Sequence, residues 1–535
     1  MVEALLESSG QEVAIADHGS RIDTPIEYTK NIIKINDINL SPVQKFYDKQ
    51  SIFITGGTGF LGKLLIDKLL RSCSTLSVIY LLVRPKKGKD THERTETLFD
   101  DPLFDKLKEI HPKFRHKIVA IEGDCSLPGL GISETDKIKL INNVSIVFHS
   151  AATVSFDEKI KLAVAINIQG LNEMIELCKK MTNLKSFIHV STAYAYCTEM
   201  TIEEKFYKSP IDADKLVTIT NCLDDKIADE ITPALMGKWP NTYAFTKAVA
   251  ENVVEKKHFD IPIGIFRPAI VISTYQEPIS GWIDNMYGPT GIAAGAGAGL
   301  LRSLHCDGSI HANVVPGDMA VNALIVTAFD ISNNYNKINN TIPIYNYVSQ
   351  DNPITYDDLK IMSAKYGLMY PTIKAMWYYS FRNNKYRFVH LIYVYLLHLL
   401  PALLIDGVTI CIGKKPRLLK MYKKIHKFTD VLNYFTIKQW NFKNDRVNEL
   451  TNSLDERDKK IFFCDIKKLS WDEFFKTYIQ GIRIYLMKDP IETLPEARIK
   501  WQRMYWIHQI FKLILAYIGL RILWGILMTA MTIVS

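Results

Sequence analysis

A chain of 535 residues with 47% hydrophobic and 23% charged residues exceeds one ordinary domain and excludes a disordered or low-complexity protein. The net charge of +8 is concentrated toward the C-terminal half, as in KKPRLLKMYKKIHK (414–427); beside apolar segments, that stretch suits a membrane surface or an acidic ligand better than nucleic acid. Eight scattered cysteines without a CxxC pair suggest neither a zinc site nor a disulfide framework, and place the folded part in a reducing compartment.

Residues 1 to about 45 are polar and aperiodic and read as a flexible arm; their early acidic residues and lack of a long apolar core do not fit a secretory signal. From residue 51 strand and helix signals alternate: SIFIT, KLLIDKLLRS, VIYLLVR, KIVAIEGD, SIVFHSAA, NIQGLNEMIELCKK, SFIHVSTAYAY, FTKAVAENVVEKKH and PIGIFRPAIVI. Short apolar strands alternating with amphipathic helices predict a doubly wound parallel sheet over 46–335. The Asn- and Lys-rich stretch ISNNYNKINN predicts a surface connection, followed by a smaller helical domain over 355–480.

Two later stretches invite a membrane test. FVHLIYVYLLHLLPALLIDGVTICIG (388–413) is interrupted by His390, His398, Pro401 and Asp406. Ionisable residues at a bilayer centre cost roughly 2.5–3.5 kcal/mol each, so the expectation is a helical hairpin buried in the second domain or dipping into the interface. LILAYIGLRILWGILMTAMTIV (513–534) carries only Arg521 and is long enough to span. Arg498, Lys500, Arg503 and Lys512 precede it and no basic residue follows. A membrane anchor over 508–534, with the preceding domains on the cytosolic side, follows from the positive-inside rule.

The glycine turn GGTGFLG (56–62) lies between a strand and a helix, where bare backbone and a helix N-terminus can hold a pyrophosphate. The next strand ends on Arg84, with Lys86 and Lys87 close by and no carboxylate there; a base at that point suits the 2′-phosphate of NADPH, whereas NAD would call for an acid. Asp124 stands at another strand end, where it can bond an adenine amino group, and Ala151 and Ala152 leave room for a cofactor to pass. Tyr243 and Lys247 lie four apart on one helix face, so that the ammonium can lower the phenol's pKa from about 10 toward working pH. Tyr356/Lys360, Tyr370/Lys374 and Tyr434/Lys438 share the spacing, but Tyr243 alone falls in the α/β part, after a strand ending in Ser191 and Thr192.

TGGTGFLG, FIHVSTAYA and NTYAFTKAVAE together resemble an extended short-chain dehydrogenase/reductase. LLVRPKKG, GWIDNMYGPTG, the RPAIV strand and VPGDMAVNA narrow the resemblance to the fatty acyl-CoA reductases of eukaryotic, insect-like type. The resemblance implies a Rossmann-like reductase domain with a helical C-terminal domain, using two NADPH to reduce long-chain fatty acyl-CoA to a primary alcohol through an aldehyde. It implies that Thr55, Gly56, Gly57, Thr58, Gly59, Phe60, Leu61 and Gly62 form the pyrophosphate turn, that Arg84 and Lys86 hold the 2′-phosphate, and that Asp124 and Ala151 border the adenine side. Tyr243 would donate the proton and Lys247 would activate it and bind ribose. Thr192 is the favoured carbonyl-positioning hydroxyl, with Ser191 second. No metal, nucleic acid or defined oligomer is implied. The membrane is that of the endoplasmic reticulum first, with a peroxisome or lipid-droplet surface as alternatives; MTIVS carries no SKL-type address.

Two departures accompany the resemblance. The inserted KFYKSPIDADKLVTITNCLDD predicts part of a substrate mouth, and the alanine-rich AAGAGAG (293–299) predicts close helix packing in place of a second nucleotide loop. The rival readings are an extended reductase acting on a sterol or another lipid or sugar alcohol, and a membrane-tethered scaffold without chemistry.

Overall fold

Seven apolar segments make the central sheet: β1 (Ser51–Thr55), β2 (Val78–Val83), β3 (Ile118–Glu122), β4 (Ile146–His149), β5 (Ser186–Val190), β6 (Ile263–Pro268) and β7 (Ile344–Tyr347). They are short, rich in Ile, Val and Phe, and mostly buried on both faces, as strands covered by helices on either side must be. In the computed structural model, which describes residues 40–85, 88–335 and 342–534, all seven run parallel in the order β7-β6-β5-β4-β1-β2-β3. This is the doubly wound sheet that the alternation predicts. The chain reverses its direction of travel across the sheet between β1 and β4, and the crevice beyond the strand ends there is where such folds bind ligands. Register brings the ends of three strands level, with Thr55 beside His149 and His149 beside His189.

Three expectations are corrected. The N-terminal arm, expected to reach residue 45, ends earlier: Ser41 and Gln44 form a capping box for a helix over Pro42–Tyr47, and Val43 and Tyr47 are buried. Residues 1–39 lie outside the described residues. The expected reductase boundary at 335 falls one strand short, because β7 comes after the Asn-rich connection. Its sequence IYNY has a polar residue in the middle, which hides a buried strand; the Asn346 amide is accommodated by donating to the carbonyls of Ile202 and Lys443.

The third correction concerns 388–413. Arg387–Cys411 is one continuous helix with a π turn over Val394–Leu399, so it is no hairpin in itself, and most of its surface faces outward. It and Ile491–Met531 are the two helices among the described residues long and apolar enough to cross a membrane.

The C-terminal helices build one core with the reductase part. Phe474, Phe475, Phe462 and Trp440 belong to the same buried cluster as Ile272, Val315 and Tyr347. Backbone contact is close where the helix Trp471–Gly481 meets the GWIDNMY loop: a Cβ on Gly281 would stand 2.1 Å from the Thr477 carbonyl oxygen. The alanine-rich run forms the helix Gly288–Gly297. Its glycines approach neighbours unevenly, since a Cβ on Gly291 would meet the Met286 carbonyl at 2.3 Å whereas one on Gly297 would meet nothing within 4 Å.

Candidate active site

A cavity of about 1230 Å³ begins at the glycine turn, crosses the ends of β1, β4 and β5, and continues between the reductase part and the C-terminal helices. Gly56 has φ +75°, and a Cβ there would lie 2.8 Å from the Ala151 nitrogen. On Gly62 a Cβ would lie 2.2 Å from the Gly56 carbonyl oxygen, so the first turn of the helix Phe60–Ser72 can sit this close only on glycine. The result is a bare cradle at a helix N-terminus, the form a pyrophosphate requires.

Gly56, Thr58, Gly59, Phe60, Leu61 and Gly62 line it, as do Arg84, Asp124 and Ala151. Thr55 and Gly57 do not, contrary to expectation. The Thr55 hydroxyl turns inward, 3.0 Å from His149 Nδ1, and accepts the Ala151 N–H at 3.2 Å; it braces the wall from behind. Gly57 faces the core, where a Cβ would meet Leu81 at 3.1 Å and Ile66 at 3.2 Å. Lys86 lies outside the described residues.

Arg84 Nη1 stands 3.5 Å from Asp124 Oδ2. Burial alone would raise the Asp124 carboxyl, but the Ser126 amide and hydroxyl, with Arg84, hold it below the ordinary value. Arg94, which the sequence reading overlooked, brings a second guanidinium to the same end of the cavity and donates to the Arg84 carbonyl oxygen. Ten residues separate the two arginines and a helix start intervenes, so no local spacing advertises the pair.

Thr192, Ser191, Tyr243 and Lys247 meet at the middle of the cavity. Asn241 caps the helix Thr242–Lys257 by accepting from the Ala244 N–H at 2.8 Å, which places Tyr243 in its first turn with its ring stacked 6.0 Å from Phe156. The two hydroxyls after β5 are unequal. Ser191 donates to Glu251 Oε1 at 2.6 Å and is occupied, whereas Thr192 Oγ1 accepts the Tyr194 N–H at 3.3 Å and lies close enough to the Tyr243 phenol to pull its pKa down.

The expected action of the ammonium on the phenol is not what the geometry gives. Burial raises Tyr243 to about 12, opposed by the Thr192 hydrogen bond. Burial lowers Lys247 to about 8, opposed by Glu251, and its Nζ donates to the Val190 carbonyl at 2.7 Å. The spacing brings the two side chains to one face, but burial dominates both shifts and neither group is among the causes that move the other.

Two further groups carry this arrangement. Glu251 and Arg267 form a fully buried, two-pronged ion pair at 2.9 and 2.6 Å, and Arg267 also donates to the Glu203 and Lys205 carbonyls. Both lie inside the NTYAFTKAVAE and RPAIV stretches, and Glu251 follows Lys247 by one more step of four, the signal that could have marked it. Beneath Lys247, His149 and His189 stack 5.8 Å apart; burial, and then the Lys247 charge, pull His149 down to about 3, so it is neutral.

The C-terminal part closes the far side. Phe435 packs against both Phe156 and Tyr194. Among the other tyrosine–lysine pairs, Tyr356 and Tyr370 also border the cavity, but Tyr434 donates to the Cys197 carbonyl and Lys374 to that of Met487. No residue of the inserted segment 205–225 lines the cavity. Its helix Ala213–Cys222 instead buries Ala213 and Leu216 in the same core cluster as Phe245 and Val249 of the Tyr243 helix, away from the cavity, which corrects its expected place at the mouth.

Sequence profiles agree with this architecture. The NAD-binding part of the male sterility protein family matches residues 54–324, and its Sterile part matches 397–489. Fatty acyl-CoA reductase wat of Drosophila melanogaster is 46% identical over 469 residues, 88% of this chain and 90% of that protein. Fatty acyl-CoA reductase 1 of Mus musculus is 37% identical over 488 residues, 90% and 93% of the two chains. Among solved structures, the terminal R domain from the myxalamid PKS-NRPS pathway (17% identity, TM-score 0.53, 82% of this chain and 91% of that one) shares the fold. So does the reductase domain of a nonribosomal peptide synthetase from Mycobacterium tuberculosis (18%, 0.52, 83% and 93%). Fold and site define a nicotinamide-dependent reductase of the short-chain dehydrogenase/reductase type. Within that class, the chain belongs to the fatty acyl-CoA reductase family.

Proposed function

We propose that the protein reduces long-chain fatty acyl-CoA to a primary fatty alcohol with two NADPH, through an aldehyde, and releases coenzyme A. The observation that carries this reading is one continuous cavity joining the glycine cradle and the Thr192–Tyr243–Lys247 group to an apolar wall of C-terminal residues such as Leu368, Phe428, Val431 and Ile482. An acyl chain fits that wall, and Lys360 and Lys424 at its border suit coenzyme A phosphates. The catalytic part would face the cytosol, at the endoplasmic reticulum, anchored through the C-terminal helix.

When bound, NADPH supplies hydride to the thioester carbon and, in a second equivalent, to the aldehyde carbon. Thr192 holds the carbonyl oxygen beside the phenol, and Tyr243 gives that oxygen its proton. As the hemithioacetal collapses, its hydroxyl proton returns to Tyr243, the C–S bond breaks, and the departing sulfur takes a proton from water. The aldehyde oxygen then receives the Tyr243 proton in the second reduction, and solvent restores the phenol. Lys247, as ammonium, offsets the negative charge on the tyrosinate between these steps.

Mass spectrometry of products from a panel of acyl-CoA thioesters should find alcohol, with two NADPH oxidised per thiol released. Oxidation of a sterol or sugar alcohol without thiol release would overturn the reading. Arg84→Ala is expected to raise KM for NADPH about ten- to a hundredfold, the loss of a charged phosphate contact, with KM for NADH little changed; equal effects on both cofactors would contradict the 2′-phosphate assignment. A pH profile should show an alkaline limb. Burial depresses Lys247 to about 8, so the ammonium is present below that pH and lost above it, and kcat should fall as pH rises through 8. Lys247→Arg, which stays charged, should remove the limb whatever activity it retains.

A further inference from the structure

The helix Arg387–Cys411 inverts the pattern of a surface helix. Its buried residues are His390, Val394, His398, Ala402 and Asp406, one row at a spacing of four. On a regular α-helix such a row drifts about 40° per step, and the wider π turn over Val394–Leu399 counters that drift. The polar members of the row are held by the body of the protein. His390 Nδ1 lies 2.7 Å from Ser303 Oγ, and His398 Nε2 accepts the Arg302 N–H at 2.9 Å. Asp406 accepts the N–H groups of Arg417, Leu418 and Leu419 at 3.1, 3.0 and 2.9 Å, capping the helix Leu418–Thr436.

The residues that made this stretch look unfit for a membrane therefore face the protein, and the outward face is apolar. Leu396, Leu403, Leu404 and Val408 are 56, 58, 62 and 63% exposed, and a soluble monomer does not leave so continuous a patch to water. A span would have to tear this row from the folded body, to which it is fastened from His390 to Asp406.

Two observations identify the occupant. Between Asp358 and Asp430 the one carboxylate is Asp406, which is buried; Lys385 is paired with Asp307, while exposed Arg382 and Arg387 stand at the start of the helix and Lys414, Lys415 and Arg417 after it. Bases at both ends of an apolar face match anionic headgroups. The other long apolar helix is held by the same body: Arg302, which binds His398, is the link. The Arg302 guanidinium lies over the Trp377 ring at 5.4 Å, Trp377 Nε1 donates to His508 Nδ1 at 3.0 Å, and the same ring contacts Phe511.

We propose that the helix Arg387–Cys411 lies in the plane of a lipid bilayer as a second anchor beside the C-terminal helix, its apolar face among acyl chains and its flanking bases at anionic headgroups. The adjoining helix Leu418–Thr436 lines the cavity with Phe428, Val431 and Leu432. The seat thus brings the acyl-binding wall next to lipid, a consequence that rests on the acyl-CoA reading although the seating does not.

The test uses the full chain in phosphatidylcholine vesicles containing phosphatidylserine. Cys222 and Cys411 are the exposed thiols and are replaced by Ser. Environment-sensitive probes go singly on Phe388→Cys, Leu404→Cys or Ile412→Cys, with Ile138→Cys on the reductase part as the reference. Lipids carrying nitroxide quenchers at graded depths should quench the first three alike at a shallow acyl depth and leave Ile138 unquenched. In the Cys222→Ser chain, native Cys411 carries the probe with no substitution in the helix and should give the same depth. Depths that differ along the helix, as in a span, would overturn the proposal. So would absence of quenching, whether the chain is monomeric or doubled in mass by a second copy covering the face. Alcohol formation by the same preparations in detergent reports separately on the acyl-CoA reading.

Discussion

Tyr243→Phe is expected to lower kcat for alcohol formation by about 10²–10⁴-fold, the range for removal of a general acid, with KM for NADPH unchanged. The substitution is informative because phenylalanine retains the stack on Phe156 and removes only the hydroxyl that faces Thr192. The loss should appear equally with acyl-CoA and with free aldehyde as substrate, since both reductions need a proton at oxygen from the same phenol. Turnover at the level of the unmodified enzyme would overturn the mechanism. Thr192→Ala should behave as a weaker version of the same defect, because the carbonyl loses its positioning hydroxyl but keeps its proton donor. Ser191→Ala should act by a different route, through Glu251.

Glu251→Leu is expected to cost about 3–5 kcal/mol of stability, the penalty for leaving a buried charge without its partner, seen as a shift in denaturant unfolding of the full chain in detergent. Glu251 and Arg267 are both fully buried. With the carboxylate gone, the guanidinium keeps the Glu203 and Lys205 carbonyls and the Tyr196 ring at 5.5 Å, but no counter-charge. The double variant Glu251→Leu/Arg267→Met should recover part of the loss, because an apolar pair carries no stranded charge. A single variant as stable as the unmodified chain would show that the pair does not hold this part of the sheet. The pair joins the helix bearing Tyr243 and Lys247 to β6 and, through Ser191, to the end of β5. The unfolding shift should therefore be accompanied by a fall in kcat under conditions where the variant is still folded.

Local sequence carried a large part of the site. The glycine turn was legible because positive φ at Gly56 and the close approach at Gly62 admit no side chain, and those demands fall on neighbouring residues. Tyr243 and Lys247 were legible because helical spacing alone puts them on one face. The parallel sheet was legible because both of its faces are covered, which makes each strand a short apolar run; β7 escaped because its buried polar middle breaks that run.

What lies between elements was not legible. Arg94 joins Arg84 only through the helix Thr91–Leu98 that follows β2, and Thr55 and Gly57 leave the expected lining because Thr55 turns its hydroxyl to His149 and Gly57 faces Leu81 and Ile66. Thr192 was already favoured over Ser191 by the resemblance, but the physical difference between them, Glu251 reaching across from another element to occupy the serine, was not visible. The pKa values of Tyr243 and Lys247 depended on burial, which no spacing reports.

The stretch 388–413 shows the division most plainly. Its composition determined that it is helical, apolar and interrupted by His390, His398 and Asp406. Whether those interruptions meet lipid or protein was decided by tertiary structure, which supplies Ser303, Arg302 and the start of the next helix as their partners. Sequence by itself determined the bare glycine cradle and the placing of Tyr243 and Lys247 on one helix face, because both are set by backbone constraints within a few residues. The tertiary structure alone decided which polar groups are already paired and which face the cavity, because pairs such as Ser191 with Glu251 and Ser303 with His390 join separate elements of the fold.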